Sequence, residues 1–203
     1  MSIRRKVLLS AAAVALPLTL IGVAGVGPAS AATAVNAPGS LTCTGISGSV
    51  KFKPPLTLTA GGTSVSAKGD LSGCTGTGGE SGVTGKFKAT IASTGTGCAG
   101  LAGGTSEEVF TVKWKGDLNG AKAKFNPSTI TVHGSTIVTN SHSDEGFELP
   151  APGHAATVTT GSFAGSTSVE SYAYTTETAA AFSAACGPGI KSVTIGSGSI
   201  NHI

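Results

Sequence analysis

Between Val83 and Ile91 the chain alternates without a break. Val83, Gly85, Phe87, Ala89 and Ile91 fall on one side, and Thr84, Lys86, Lys88 and Thr90 on the other. A period of two places every second side chain on one face of an extended backbone, so this stretch is a strand with one face buried and one in water. Val50 and Phe52 alternate with Lys51 and Lys53 in the same way, and Phe110, Val112 and Trp114 with Thr111, Lys113 and Lys115. Turn residues punctuate these runs. Asn119-Gly120 is a two-residue hairpin signal, Asn126-Pro127 opens another turn, and Pro54-Pro55 marks an edge or a bend. About ten short strands separated by such signals predict an all-β chain, an antiparallel β-sandwich or barrel. The Gly- and Thr-rich stretch 93–106 is a candidate boundary between two small lobes. One short helix is expected near 177–185, capped by Thr176 and stopped by Gly187-Pro188.

The first 31 residues read as an export signal. Arg4-Arg5-Lys6 precede an almost wholly apolar run, and Ala29-Ser30-Ala31 supplies small residues for cleavage. Cutting is expected after Ala31, with Ala34 as the rival position. The apolar run is nearly long enough to span a bilayer, but the small-residue site favours removal over a stable membrane anchor. The Arg4-Arg5 pair also permits a twin-arginine route. Residues 32–40 read as a loose arm, and 41–203 as one disulfide-linked β domain.

Removing the signal also removes the charge. The formal net charge of +3 comes from 13 basic and 10 acidic residues, and three of the basic ones lie in the signal. The exported part is ten against ten, with its lysines spaced singly along the chain. That balance argues against nucleic acid as a partner. All four cysteines (Cys43, Cys74, Cys98 and Cys186) follow the signal, which in an exported chain reads as two disulfides. Three pairings are possible; Cys43–Cys74 with Cys98–Cys186 is the favoured one. The absence of a C-x-x-C pair argues against structural zinc.

No catalytic set stands out. There is no G-x-S-x-G elbow, the carboxylates lie far apart, and the glycine-rich stretches fit neither a P-loop nor a dinucleotide fingerprint in context. No cofactor is implied. His142, Asp144, Glu145 and His154, with Glu148 nearby, are candidates for a cation site. Tyr172 and Tyr174, two apart on a strand with Glu170 alongside, are a candidate binding patch, whereas Trp114 reads as a core anchor.

Several stretches resemble a group of exported actinobacterial proteins without assigned activity: Arg4-Arg5-Lys6 with its Ala-rich signal, Leu41-Thr42-Cys43-Thr44-Gly45, Gly69-Asp70-Leu71-Ser72-Gly73-Cys74 and Thr111-Val112-Lys113-Trp114. The composition and the two bridges are also similar to small antibiotic-carrying apoproteins of actinomycetes, and that similarity implies an immunoglobulin-like sandwich. The resulting expectation is a secreted, non-catalytic protein that acts by binding, with a cell-surface or small-molecule partner. A small-ligand carrier would line an apolar cavity with Phe87, Phe110 or Phe163. An extracellular hydrolase would bring two or three acids or histidines into one cleft.

Overall fold

The computed structural model describes residues 33–59, 63–93, 98, 107–133, 136–139, 144–148, 155–168 and 171–203. The fold is all-β with one short helix. The strands are β1 (Leu41–Leu56), β2 (Thr63–Gly76), β3 (Glu80–Ser93), β4 (Glu107–Leu118), β5 (Ala121–Ala123), β6 (Ser128–His133), β7 (Thr136–Thr139), β8 (Asp144–Glu148), β9 (Ala156–Thr160), β10 (Thr167–Ser168), β11 (Ser171–Thr178) and β12 (Ile190–Ile200). The helix is α1 (Ala179–Cys186). Residues 32–203 form one compact unit.

All twelve strands join one antiparallel sheet, in the order β10-β9-β6-β4-β3-β2-β1-β12-β11-β8-β7, with β5 paired to β4. Two separately hydrogen-bonded sheets were the expectation for a sandwich, and the structure instead has one sheet curled into a half-barrel. Alternation does not distinguish the two arrangements, because each buries one strand face and wets the other. In this sheet Val50, Phe52, Val65, Ala67, Phe87, Val112, Trp114, Val158, Val193 and Ile195 face inward and are buried. A single sheet can cover one face this completely only by bending that face around itself.

β1 to β4 form a meander of long hairpins, and β12 returns from the far end of the chain to pair with β1. The N-terminal strand is therefore central. Pro54-Pro55 sits at its bent end, where the β1–β12 register shifts between Lys51 and Leu56. The end of the chain is held too. Ile203 is buried, and its backbone exchanges hydrogen bonds with Leu41 in both directions. Residues 33–40 are irregular but tied down. The Val35 N–H donates to the Lys124 carbonyl at 2.9 Å, the Asn126 N–H to the Val35 carbonyl at 2.8 Å, and the Phe163 N–H to the Ala37 carbonyl at 2.8 Å.

Both expected bridges are present. Cys43 and Cys74 are direct cross-strand partners on β1 and β2, and Cys98 is bonded to Cys186 at the end of α1. The helix begins two residues later than expected. β11 runs on to Thr178, and the Glu177 carboxylate accepts the Thr194 N–H of β12 at 3.2 Å, so it serves the sheet instead of the first helical turn.

The Asn-Gly turn is as expected. Leu118 pairs with Ala121, and Asn119 and Gly120 have φ of 53° and 80°, the two positive values that a type I′ hairpin requires. A Cβ at Gly120 would meet nothing within 4 Å, so Gly120→Ala tests backbone conformation alone. We expect it to cost about 1–2 kcal/mol, read as a shift in urea midpoint with no change in slope.

Candidate functional site

The sequence singles out two sets, the cation-site candidates His142, Asp144, Glu145 and His154 and the patch of Tyr172, Tyr174 and Glu170. His142, His154 and Glu170 lie outside the described residues. The backbones of Asp144 and Glu145 are neighbours in β8, and their register partners are Thr178 and Thr139. Tyr172 and Tyr174 sit two apart on β11, opposite Glu148 and Gly146, with Tyr174 half-buried. Among the described residues no group of three metal-ligating side chains occurs. Of the carboxylates, Glu80 and Glu108 are buried under the sheet, whereas Asp70 is exposed on its outer face.

The strand register does gather the lysines. In sequence they are spaced singly, yet across β1 to β4 they form a staircase on the outer face. Lys53 and Lys51 lie two apart on β1. One row further on, Ser49 of β1 faces Lys68 of β2. Lys68 faces Lys88 of β3. Two residues before Lys88, Lys86 faces Lys113 of β4, and Lys115 follows opposite Thr84. All seven are exposed. Lysines that are spaced singly along the chain thus become neighbours across the sheet. Spacing along the chain carries no information about which residues become neighbours across a sheet.

This arrangement works against the sheet. Like charges directly opposite on adjacent strands are destabilising, and two such pairs occur, Lys68 with Lys88 and Lys86 with Lys113. One carboxylate interrupts the row: Asp70, opposite Lys86, with Oδ1 2.5 Å from Nζ. That pair is well exposed, so its contribution to stability is small. Strands about 4.8 Å apart, with about 6.8 Å between alternate residues, keep neighbouring ammonium groups within the roughly 8 Å screening length of physiological salt. Their fields therefore add.

A groove of about 870 Å³ lies beside the β4 end of this line. It follows from the pairing of β4. β6 pairs with residues up to Val112 and β5 with residues from Gly116, so neither covers 113–115. The strap 123–127 passes by instead, and the groove opens between the two. Its lining includes Lys86, Lys113, Lys115, Lys124 and Asp70 together with Leu71, Trp114 and Phe125. Those last three are 1%, 5% and 4% exposed. Phe87, Phe110 and Phe163, the examples given for the lining of a carrier cavity, do not line this groove. Phe87 packs edge-on against Phe110, with ring centroids 6.3 Å apart, and Phe163 against Trp114 at 5.4 Å.

No protein-family model, curated protein or solved structure matches the chain.

Proposed function

We propose that this is an exported, non-catalytic binding protein that engages an anionic partner through the outer face of β1 to β4. The single observation that carries the reading is the lysine staircase with its two opposed like-charge pairs. A sheet with no use for that field would be more stable with threonine at half of these positions. The compartment is supported by the leading export signal and by two disulfides, which persist in an oxidising environment. The resemblance to exported actinobacterial proteins agrees with it.

The test exploits the neutrality of the exported part. Loaded at neutral pH and low salt on a sulfated-dextran matrix, the chain from residue 32 onward is retained and elutes as a sharp peak in a salt gradient. A protein whose ten lysines were scattered evenly among its ten acids would pass straight through, and that result would sink the proposal.

A further inference from the structure

Resting on that reading, we infer that the partner is a linear polysaccharide carrying about one anionic group per sugar, bound along the diagonal from Lys53 to Lys115. The line advances by four two-residue steps along the strands while crossing three strand spacings. Its length is therefore about 30 Å, or roughly one ammonium group every 5 Å. This spacing is close to the length of one sugar unit in an extended glycan. Duplex DNA carries one charge per about 1.7 Å of axis, several times too dense for a one-to-one match.

Shape points the same way. The inner face of the curled sheet is the buried one, so the outer face is convex. Duplex DNA is straight over about 50 nm, and a bilayer is flat, so each would reach only part of the line. A flexible polysaccharide can follow it from end to end. Among the described residues of this face no aromatic side chain is exposed, and base stacking is the usual means of holding single-stranded nucleic acid. The positions between the lysines carry hydroxyls instead. Ser66, Thr84, Thr90 and Thr111 are all exposed and can donate to or accept from sugar hydroxyls. The ammonium groups are compact point charges without the fork geometry of arginine. They suit a partner recognised by the spacing of its charges more than by the shape of one group.

The probe is polygalacturonate, titrated into the exported chain by calorimetry at low salt, beside neutral dextran, duplex DNA and phosphatidylglycerol vesicles. Binding to polygalacturonate is expected to be the tightest of the four, to weaken steeply with salt, and to be absent for dextran. Lys88→Thr with Lys113→Thr removes one member of each opposed pair. Affinity falls at least tenfold while the melting temperature stays level or rises, an outcome that a merely structural role for these lysines would not give. Lys115→Thr with Ser47→Lys keeps the net charge but moves one charge off the line, and affinity falls at least threefold.

Undiminished binding by either double variant, or a lowered melting temperature that accounts for the weaker binding, overturns the line. Tighter binding to DNA or to vesicles overturns the polysaccharide assignment and leaves the anion-binding face standing. Failure to bind any of the three polyanions overturns both.

Discussion

Replacing Cys98 and Cys186 together by alanine is expected to remove about 4.6 kcal/mol of stability on the loop-entropy account, given a separation of 88 residues. For a chain of this size that is a fall in melting temperature of roughly 10–20 °C. The 31-residue Cys43–Cys74 closure is worth about 3.7 kcal/mol on the same account, and its loss should cost less still in cooperativity. Cys43 lies inside β1, which is hydrogen-bonded to β2 on one side and to β12 on the other. Cys186 lies at the end of an eight-residue helix, and a helix that short does not persist in water without tertiary support. Phe182 and Cys186 of this helix are buried, and the bridge fastens its C-terminal end to Cys98, whose N–H also donates to the Thr57 carbonyl at 2.8 Å. Hydrogen exchange should therefore show residues 179–186 losing protection first in the Cys98/Cys186 variant, with β1 to β4 retaining theirs. Equal melting temperatures for the two double variants, or an undisturbed helix, would contradict this order.

What the sequence shows plainly is whatever depends on neighbours along the chain. The alternation that begins at Val83 is, through Thr90, the inward and outward alternation of β3. Asn119-Gly120 forms the tight turn whose backbone it is suited to. Trp114 is the buried anchor that its strand pattern implies. What the sequence hides depends on register between distant residues. Lys68 and Lys88 belong to different strands, and only the pairing of β2 with β3 makes them opposite. The return of β12 to β1 likewise leaves no local mark, because Val193 and Ile195 alternate as they would at any place in any sheet. That return makes β1 central, and so supports the start of the lysine line from both sides. The candidate site is therefore invisible in the sequence even though Lys51, Lys53, Lys86, Lys88, Lys113 and Lys115 each read as outward-facing there; Lys68, which joins them, stands in no alternating run that the sequence marks. A second signal was available: lysine on the wet side of consecutive long strands, with few acids beside it, is unusual for a part of the chain with no net charge.

Trp114→Ala should be the most damaging single substitution in the sheet, at about 3–5 kcal/mol, a large fraction of the 5–15 kcal/mol that holds a typical domain together. Three contacts converge on this side chain. Its ring lies over Gly85, its direct partner on β3; a Cβ there would come within 2.7 Å of Cζ3. It meets Phe163 edge-on at 5.4 Å. Its indole N–H donates to Ser128 Oγ at 2.7 Å, and the Ser128 hydroxyl donates onward to the Ser162 carbonyl. Ser162 Oγ in turn accepts the Ala37 N–H at 3.2 Å. One indole thus ties β4 to β6, to the turn after β9 and to the N-terminal arm. The variants separate these roles. Trp114→Phe keeps most of the apolar contact and loses the donor, while Ser128 can still donate to Ser162, so the cost is about 1 kcal/mol beyond the lost ring area. Ser128→Ala strands both the buried indole N–H and the Ser162 carbonyl and should cost about 1–3 kcal/mol. Urea denaturation should rank Trp114→Ala above the other two, and equal costs for Trp114→Ala and Trp114→Phe would show that the ring is not the anchor. The same series reaches the outer face. Lys113 and Lys115 flank Trp114 on the stretch of β4 that neither β5 nor β6 covers, so only β3 and the buried indole fix their positions. Trp114→Ala, which alters no charge, should therefore weaken polyanion binding, and Trp114→Phe should leave it intact.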